Sequence, residues 1–330
     1  MSYKHFLALS FCVFILICSL PASAADQTTG VIGISKIVAH PALDAVEKGI
    51  QDELKHLGYN FTYDLQNANG EISAAASIAN KFKSQKVTLA VGIATPTAQA
   101  LVNALKDIPV VFSAVTDPVA AGLVSSLQKG EGNVTGVSDM TPVKEQIEFL
   151  SRLKKIKRLG HVYSSHEANA VALADLARNA CKEMGIEFVE TTVTNSAEVK
   201  QAVQTIIRRV DGLYISTDNT VVSALSAVID VALEQKVPVM SADPSSAETF
   251  DVLAAWGFDY YKMGRATGRL ISSVLKGRKP GEIPTLFMTD PSDVDLLINK
   301  DVAKKLGLVF PPDVEQLANK TIINGKLIEK

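Results

Sequence analysis

The chain has 330 residues, 47% of them hydrophobic, a formal net charge of −2 and three cysteines. Near-neutrality removes the electrostatic case for nucleic acid or an anionic membrane surface as a partner, and a single cysteine beyond residue 18 removes an intramolecular disulfide framework. Stability must come from burial, and a chain of this length is long enough for two lobes with separate cores.

The first 24 residues read as an export signal. Lys4 and His5 make a short basic start, Phe6 to Leu20 is apolar, and Pro21-Ala22-Ser23-Ala24 supplies an A-x-A cleavage pattern. The apolar run has 15 residues, short of the ~20 that span a bilayer as a helix. Cys12 and Cys18 leave with the signal, and Ile17 stands where a lipid-attachment box requires a small residue. Cys181, in an apolar helical stretch with Ala177 and Met184, reads as a core filler. The expected location is periplasmic or otherwise extracytoplasmic.

From residue 30 onward, β-rich runs alternate with amphipathic helical stretches, the pattern of parallel βαβ units. Strands are predicted over 31–38, 60–65, 87–93, 109–115, 158–163, 186–193, 212–216, 237–241 and 252–256. Apolar stripes at helical spacing join Leu43, Val46, Ile50, Leu54 and Leu57; Leu173, Leu176, Ala180 and Met184; and Val199, Val203 and Ile206. Six prolines follow His40, Thr95, Asp117, Thr141, Asp243 and Asp290. Proline is tolerated at the first helical position, where its missing N–H has no partner to lose, and Thr or Asp before it is a good N-cap. Several strands therefore feed capped helices at one sheet edge, the carboxyl edge where open α/β sheets bind ligands.

An internal echo doubles this unit. Val91-Gly92-Ile93-Ala94-Thr95-Pro96-Thr97 leads through a helix to Ile108-Pro109-Val110 and Asp117-Pro118; Leu213 to Thr220 leads through another to Val237-Pro238-Val239 and Asp243-Pro244. The expected architecture is α/β, with two Rossmann-like lobes of parallel sheet joined by a three-segment hinge. Lobe 1 takes 28–140 plus about 257–283, and lobe 2 takes 141–256 plus about 284–330, with a ligand cleft between them.

Helix N-termini facing such a cleft favour an anionic group, which singles out Thr95, Pro96 and Thr97 with Thr217, Asp218, Asn219 and Thr220. An ammonium needs a shielded carboxylate, available from Asp117, Asp218, Glu167 or Asp259. Plain N-capping accounts equally well for several of these side chains. Enzymatic signatures are missing: Gly30-Val31-Ile32-Gly33 lacks the third glycine of a dinucleotide loop, and no phosphate-binding loop or serine elbow occurs. The histidines at 40, 56, 161 and 166 have no metal-ligand spacing, and His161, in a strand, reads as packed.

Taken in order, Val31–Asp44, Gln66–Gly70, Ile93–Ala100, Val110–Gly122, Gly132–Ser138, Glu167-Ala168-Asn169, Thr217–Thr220 and Gly257–Tyr261 resemble the tryptophan/tyrosine-type ABC transporter substrate-binding proteins along nearly the whole chain. The resemblance implies a type I periplasmic binding fold and an aromatic amino acid as ligand. It implies cleft positions for Ser35, Thr95, Thr116, Asp117, Glu167, Asn169, Thr217, Asp218, Asn219 and Asp259. The sequence departs from the family pattern at Ala39, Ala170, Asp243–Glu248 and Trp256. The implied role is a non-enzymatic binding protein without cofactor, a monomer that hands an amino acid to an ABC permease and its ATPase. A sensory protein serving a receptor, or a binder of another small organic solute, is the alternative. The ligand's carboxylate is expected on the Thr95–Thr97 helix start, its amine on Asp117, Asp218 or Glu167, and its side chain to be apolar or aromatic.

Overall fold

The computed structural model describes residues 29–330, so the export signal expected over 1–24 lies outside the described residues. Alternating strands and helices open the chain: β1 (Thr29–Lys36), α1 (Pro41–His56), β2 (Asn60–Asn67), α2 (Ile72–Gln85), β3 (Leu89–Ile93), α3 (Thr95–Ala104), β4 (Val110–Ser113) and β5 (Val134–Ser138). The same alternation repeats as α4 (Val143–Leu153), β6 (Arg158–Ser164), α5 (Ala168–Met184), β7 (Glu187–Val193), α6 (Val199–Ile206), β8 (Gly212–Ile215), α7 (Asn219–Ser223), α8 (Leu225–Glu234), β9 (Val239–Ser241), α9 (Pro244–Ala247) and β10 (Ala254–Phe258). The last segment is α10 (Tyr260–Leu275), β11 (Leu286–Phe287), β12 (Val294–Asn299), α11 (Lys300–Leu306), α12 (Pro312–Leu317), β13 (Lys320–Ile323) and β14 (Lys326–Glu329).

These strands form two sheets, the two lobes of an α/β fold. The first has the order β11-β5-β4-β3-β1-β2, all parallel; the second runs β14-β13-β12-β10-β9-β8-β6-β7. Within the second, β12 is antiparallel to β10, and β13 and β14 form an antiparallel hairpin. Both faces of a parallel sheet are covered by helices, so its central strands are continuous apolar runs. Leu89 to Ile93 and Val110 to Ser113 are buried at every position.

The helical stripes meet the cores with two adjustments. Leu57 is exposed at the end of α1, and in α5 Leu176 is exposed while Leu173, Ala177, Ala180 and Cys181 form the buried face with Met184 partly buried beside them. Cys181 is fully buried and its thiol is pushed up to about 12 by that burial, which leaves it a protonated core group. His161 is also core. Its ring stacks between Tyr163 and Tyr214 and its Nδ1 lies 2.8 Å from the Tyr214 carbonyl.

Five strands exceed the sequence expectation. In β5, buried Thr135 and Ser138 hydrogen-bond to the carbonyls of Ile283 and Thr116, at 3.0 and 2.8 Å, so tertiary partners rather than an apolar run make the strand. Partners likewise make β11 and β12. The β13–β14 hairpin turns at Asn324-Gly325, both at positive φ, which is the strongest short-range hairpin signal and was present in the sequence.

Helix α10, although it follows β10 of the second sheet, packs against α1 in the core of the first. A Cβ on Gly264 would sit 2.3 Å from the Val46 carbonyl oxygen and 2.9 Å from the Gly49 Cα, and one on Gly49 would sit 2.3 Å from the Tyr261 carbonyl oxygen. Backbone lies against backbone there, so an added methyl has nothing flexible to displace. Gly264→Ala is expected to lose roughly 1–3 kcal/mol, read as a drop of several degrees in the calorimetric unfolding midpoint; an unchanged midpoint would contradict the contact.

Candidate functional site

An enclosed cavity lies between the carboxyl edges of the two sheets. From the first sheet's side it is lined by His40, Ala42 and Leu43 at the start of α1, Ala114 after β4, and Asp139 after β5; Tyr260, opening α10, adds its ring. From the second side come Asn169 on α5, the Thr217-Asp218-Asn219 start of α7 with Val222, and Asp243 before α9. Its volume is about 20 Å³, little more than the room one water requires.

The loops that shape it are strained where they meet the strands. Ala94, after β3, has φ 76° and Ala114, after β4, has φ 53°, left-handed conformations that cost a non-glycine residue about 1–3 kcal/mol. Gly92 permits the approach of α3 over β3, because a Cβ there would lie 2.6 Å from the Ala98 Cα. The expected cap at the start of α3 takes another form. Ala94 is the N-cap, Thr95 is the first helical residue, and its buried hydroxyl has no partner. Thr97 turns its hydroxyl back onto the Ile93 and Ala94 carbonyls at 2.6 and 3.1 Å, and Pro96 lines an outer groove with Ile72 and Gln99.

The remaining sequence candidates divide by what already satisfies them. Asp117 accepts from the Val119 and Ala120 amides at 3.0 and 2.9 Å, and Asp259 from the Lys262 amide at 3.0 Å; both are caps outside the cavity lining. Glu167 is buried and accepts from the Thr220 amide (2.9 Å), the Thr220 hydroxyl (2.7 Å) and the Asn219 side chain, so it braces the start of α7. Thr116 donates to Asp139 at 3.1 Å. Asn169 donates to the Thr217 carbonyl at 3.0 Å, leaving its own Oδ1 without a partner. Ser35, at the carboxyl end of β1, carries an unpartnered buried hydroxyl, as do Ser216 and Thr217 after β8. Unpartnered buried polar atoms are rare, and here they gather at the carboxyl edges of both sheets.

The charge of the cavity is one-sided. Asp139 is fully buried and accepts from Thr116 and, at 3.0 Å, from the Tyr260 hydroxyl; burial still pushes its carboxyl up to about 6. Asp218 accepts from the Ser164 amide at 2.6 Å and the Val221 amide at 3.0 Å, yet burial, reinforced by the charge of Glu167, pushes it up to about 8. Asp243 caps α9 through the Ser246 amide at 3.2 Å. Among the described residues, no lysine or arginine lines the cavity, and burial holds the His40 imidazole below its usual range, which keeps it neutral. The sequence reading missed His40, Asp139 and Tyr260 and took Asp243 only as a cap. A His-Pro or Asp-Pro pair at a helix start signals capping, and nothing local marks which cap faces another lobe.

Among the described residues, no cluster of His, Cys, Asp and Glu is arranged to hold a metal ion, and no helix is long and apolar enough to cross a membrane. Residues 31–322 match the family of ABC transporter substrate binding proteins. A tyrosine-binding protein of Clostridioides difficile is 40% identical over 282 residues, spanning 84% of this chain and 81% of its own. The solved structure of a Streptococcus pneumonia ABC domain in complex with L-Trp is 34% identical, with a TM-score of 0.85 over 89% of this chain and 100% of that one. A ligand-free, open substrate binding protein with adhesive properties from Clostridium difficile is 37% identical but superposes at 0.65, over 86% and 97%. With two α/β lobes and a match along nearly its whole described length, this chain belongs to the ABC transporter substrate-binding protein family, whose members work outside the cytoplasm.

Proposed function

We propose that the protein is the exported solute-binding component of an ABC importer, and that it closes two lobes on an amino acid with an aromatic or large apolar side chain. It would pass that ligand to a membrane permease powered by an ATPase, binding without turnover and acting as a monomer. We take lobe 1 as 29–140 with 257 to about 289, because β11 adds to the first sheet rather than falling in lobe 2 as the sequence suggested, and lobe 2 as 141–256 with about 290–330, so the chain crosses between lobes near 139, 259 and 290. Their closeness to Asp139 and Tyr260 would couple ligand contact to hinge rotation.

The observation that carries this reading is the unbalanced acidity of the cavity. Asp139 approaches from one sheet edge and Asp218 and Asp243 from the other, with no cation among the lining residues. Carboxylates arranged this way repel one another until an ammonium sits between them, so the ligand's amine supplies attraction that exists only in the closed state. We assign its carboxylate to the free hydroxyls of Ser35 and Thr95 and the start of α3, where N–H groups and the helix dipole favour an anion. Leu43, Ala42 and Val222 offer apolar contact for the side chain. A cavity of about 20 Å³ admits an amino acid only when the lobes part. The better superposition on the L-Trp complex than on the open relative supports reading this arrangement as the closed one.

Titration calorimetry with L-tyrosine, L-tryptophan, L-leucine and tyramine tests the assignment. Removing the amine's true partner breaks a buried ion pair worth roughly 3–5 kcal/mol, so at least one of Asp139→Asn, Asp218→Asn and Asp243→Asn should weaken binding more than about a hundredfold. Binding that survives all three substitutions, or tyramine binding as tightly as L-tyrosine, would overturn it. Asp218, whose carboxyl is pushed up to about 8, must ionise to meet an ammonium, so binding near pH 7 should release a proton, detected as a dependence of the measured heat on the buffer's ionisation enthalpy.

The same raised carboxyls set a pH dependence of stability without ligand. Their folded values exceed the unfolded one of 3.8, so the folded protein holds more protons. The contribution is complete below about pH 4 and is lost as pH rises, through about 6 for Asp139 and about 8 for Asp218. His161, lowered to about 4 by burial, acts in the opposite sense, losing stability as pH falls from its unfolded range. Asp139→Asn isolates one part, since both its partners are hydroxyls that can reverse their donor roles. Its unfolding midpoint should decline less than the wild type's between pH 4 and 6.

A further inference from the structure

Away from the cavity, α4, β10 and β12 enclose a groove of about 680 Å³, within the size range of small-molecule sites. None of its lining residues is shared with the interlobe cavity. Its floor is the aromatic pair Phe149 and Trp256, with ring centroids 6.1 Å apart and planes at 59°. Leu317, 65% exposed, forms a wall. Apolar surface gathered in a concavity, rather than scattered, marks a place where something binds.

The rim states what charge that occupant carries. Arg152 is committed to Asp313, and Asn319 is fully used, donating to Asp295 at 2.9 Å and accepting from the Leu296 amide at 2.8 Å. Glu145 and Glu148, one turn apart on α4, make no ion pair among the described residues, whereas their neighbour Lys144 is paired with Glu183. The groove therefore offers an aromatic floor under two uncompensated carboxylates. We propose that it is a second ligand site, for a small organic cation with an aromatic or branched apolar body.

Its position gives that site a consequence. Trp256 lies on β10, which leads directly into α10, and Pro291 lies in the segment between β11 of the first sheet and β12 of the second. The Trp256 carbonyl is held by the Gln146 side chain at 2.6 Å, and Gln146 accepts from the buried Tyr214 hydroxyl at 2.6 Å. An occupant touches the segment that joins β11 to β12 and the strand that leads into α10, so its binding and that of the cavity's ligand bias the same lobe arrangement and are linked reciprocally.

The chain's one tryptophan provides a single indole N–H resonance located in the groove. Titrating 2-phenylethylamine into the isotope-labelled protein should shift that resonance saturably, and 3-phenylpropionate, with a similar body and opposite charge, should leave it in place at equal concentration. Glu145→Gln with Glu148→Gln should weaken the amine by about threefold to tenfold, the scale of two solvent-exposed charge pairs, and Leu317→Ser should weaken it as well. All three positions are on the surface, and a thermal melt verifies that the variants fold. The proposal is overturned by an absent or unsaturable shift, by equal shifts from amine and acid, or by affinity unchanged in the double variant, which would place the amine elsewhere.

Discussion

Where α1 crosses α10, Gly49, Gly264 and Gly268 let backbone lie against backbone, a Cβ on Gly268 meeting the Glu53 side chain at 2.7 Å. Beside that contact Glu53, almost wholly buried, receives Arg265 at 2.7 Å and Arg269 at 3.5 Å. A buried carboxylate left alone would be costly, and two guanidiniums satisfy it while fixing the register of one helix on the other. Further along, Ser113 and Thr267 hydrogen-bond at 2.7 Å and Tyr59 reaches Ser272 at 2.9 Å. Both helices begin at the cavity, α1 with His40 ahead of it and α10 with Tyr260. Their separation sets the distance between those two lining residues.

This packing also explains the order of the chain. Helix α10 follows β10 of the second sheet and then packs on the first, and β11 adds to the first sheet before β12 returns to the second. The passages from β5 to α4 and from β10 to α10 run beside the cavity. Asp139 and Tyr260 stand at two of those passages and are joined by a hydrogen bond of 3.0 Å.

Strain, free hydroxyls and raised carboxyls collect along the same edge. Ala94 and Ala114 hold left-handed conformations beside Thr95 and Thr116, and the Ser35, Thr95, Ser216 and Thr217 hydroxyls lack partners. A core optimised for stability alone would satisfy these groups. Their cost is offset by the buried central strands on either side, and under the function proposed above a ligand would be the partner for what the protein leaves unpaired.

Periodicity and punctuation in the sequence determined the parallel strands from β1 to β4 and β6 to β10, the alternation with helices, and the two-lobed α/β class. Those features follow from local chemistry: continuous apolar runs, stripes at helical spacing, and prolines that begin helices. The carboxyl edges of the strands, and with them Thr217, Asp218 and Asn219, were legible for the same reason, whereas Asn169 was pointed to only by the family resemblance. The tertiary structure decided which caps face across the cleft. Asp117 and Asp259 spend their oxygens on their own turns, while Asp139 and Tyr260, which nothing local marked as binding residues, meet in the cavity because α10 returns to pack on α1. Strands β5, β11 and β12 were likewise hidden, since their stability comes from partners distant in the chain. A residue's own neighbours in sequence fix its backbone, but desolvation and charge, which give a carboxylate its function, depend on everything that folds against it.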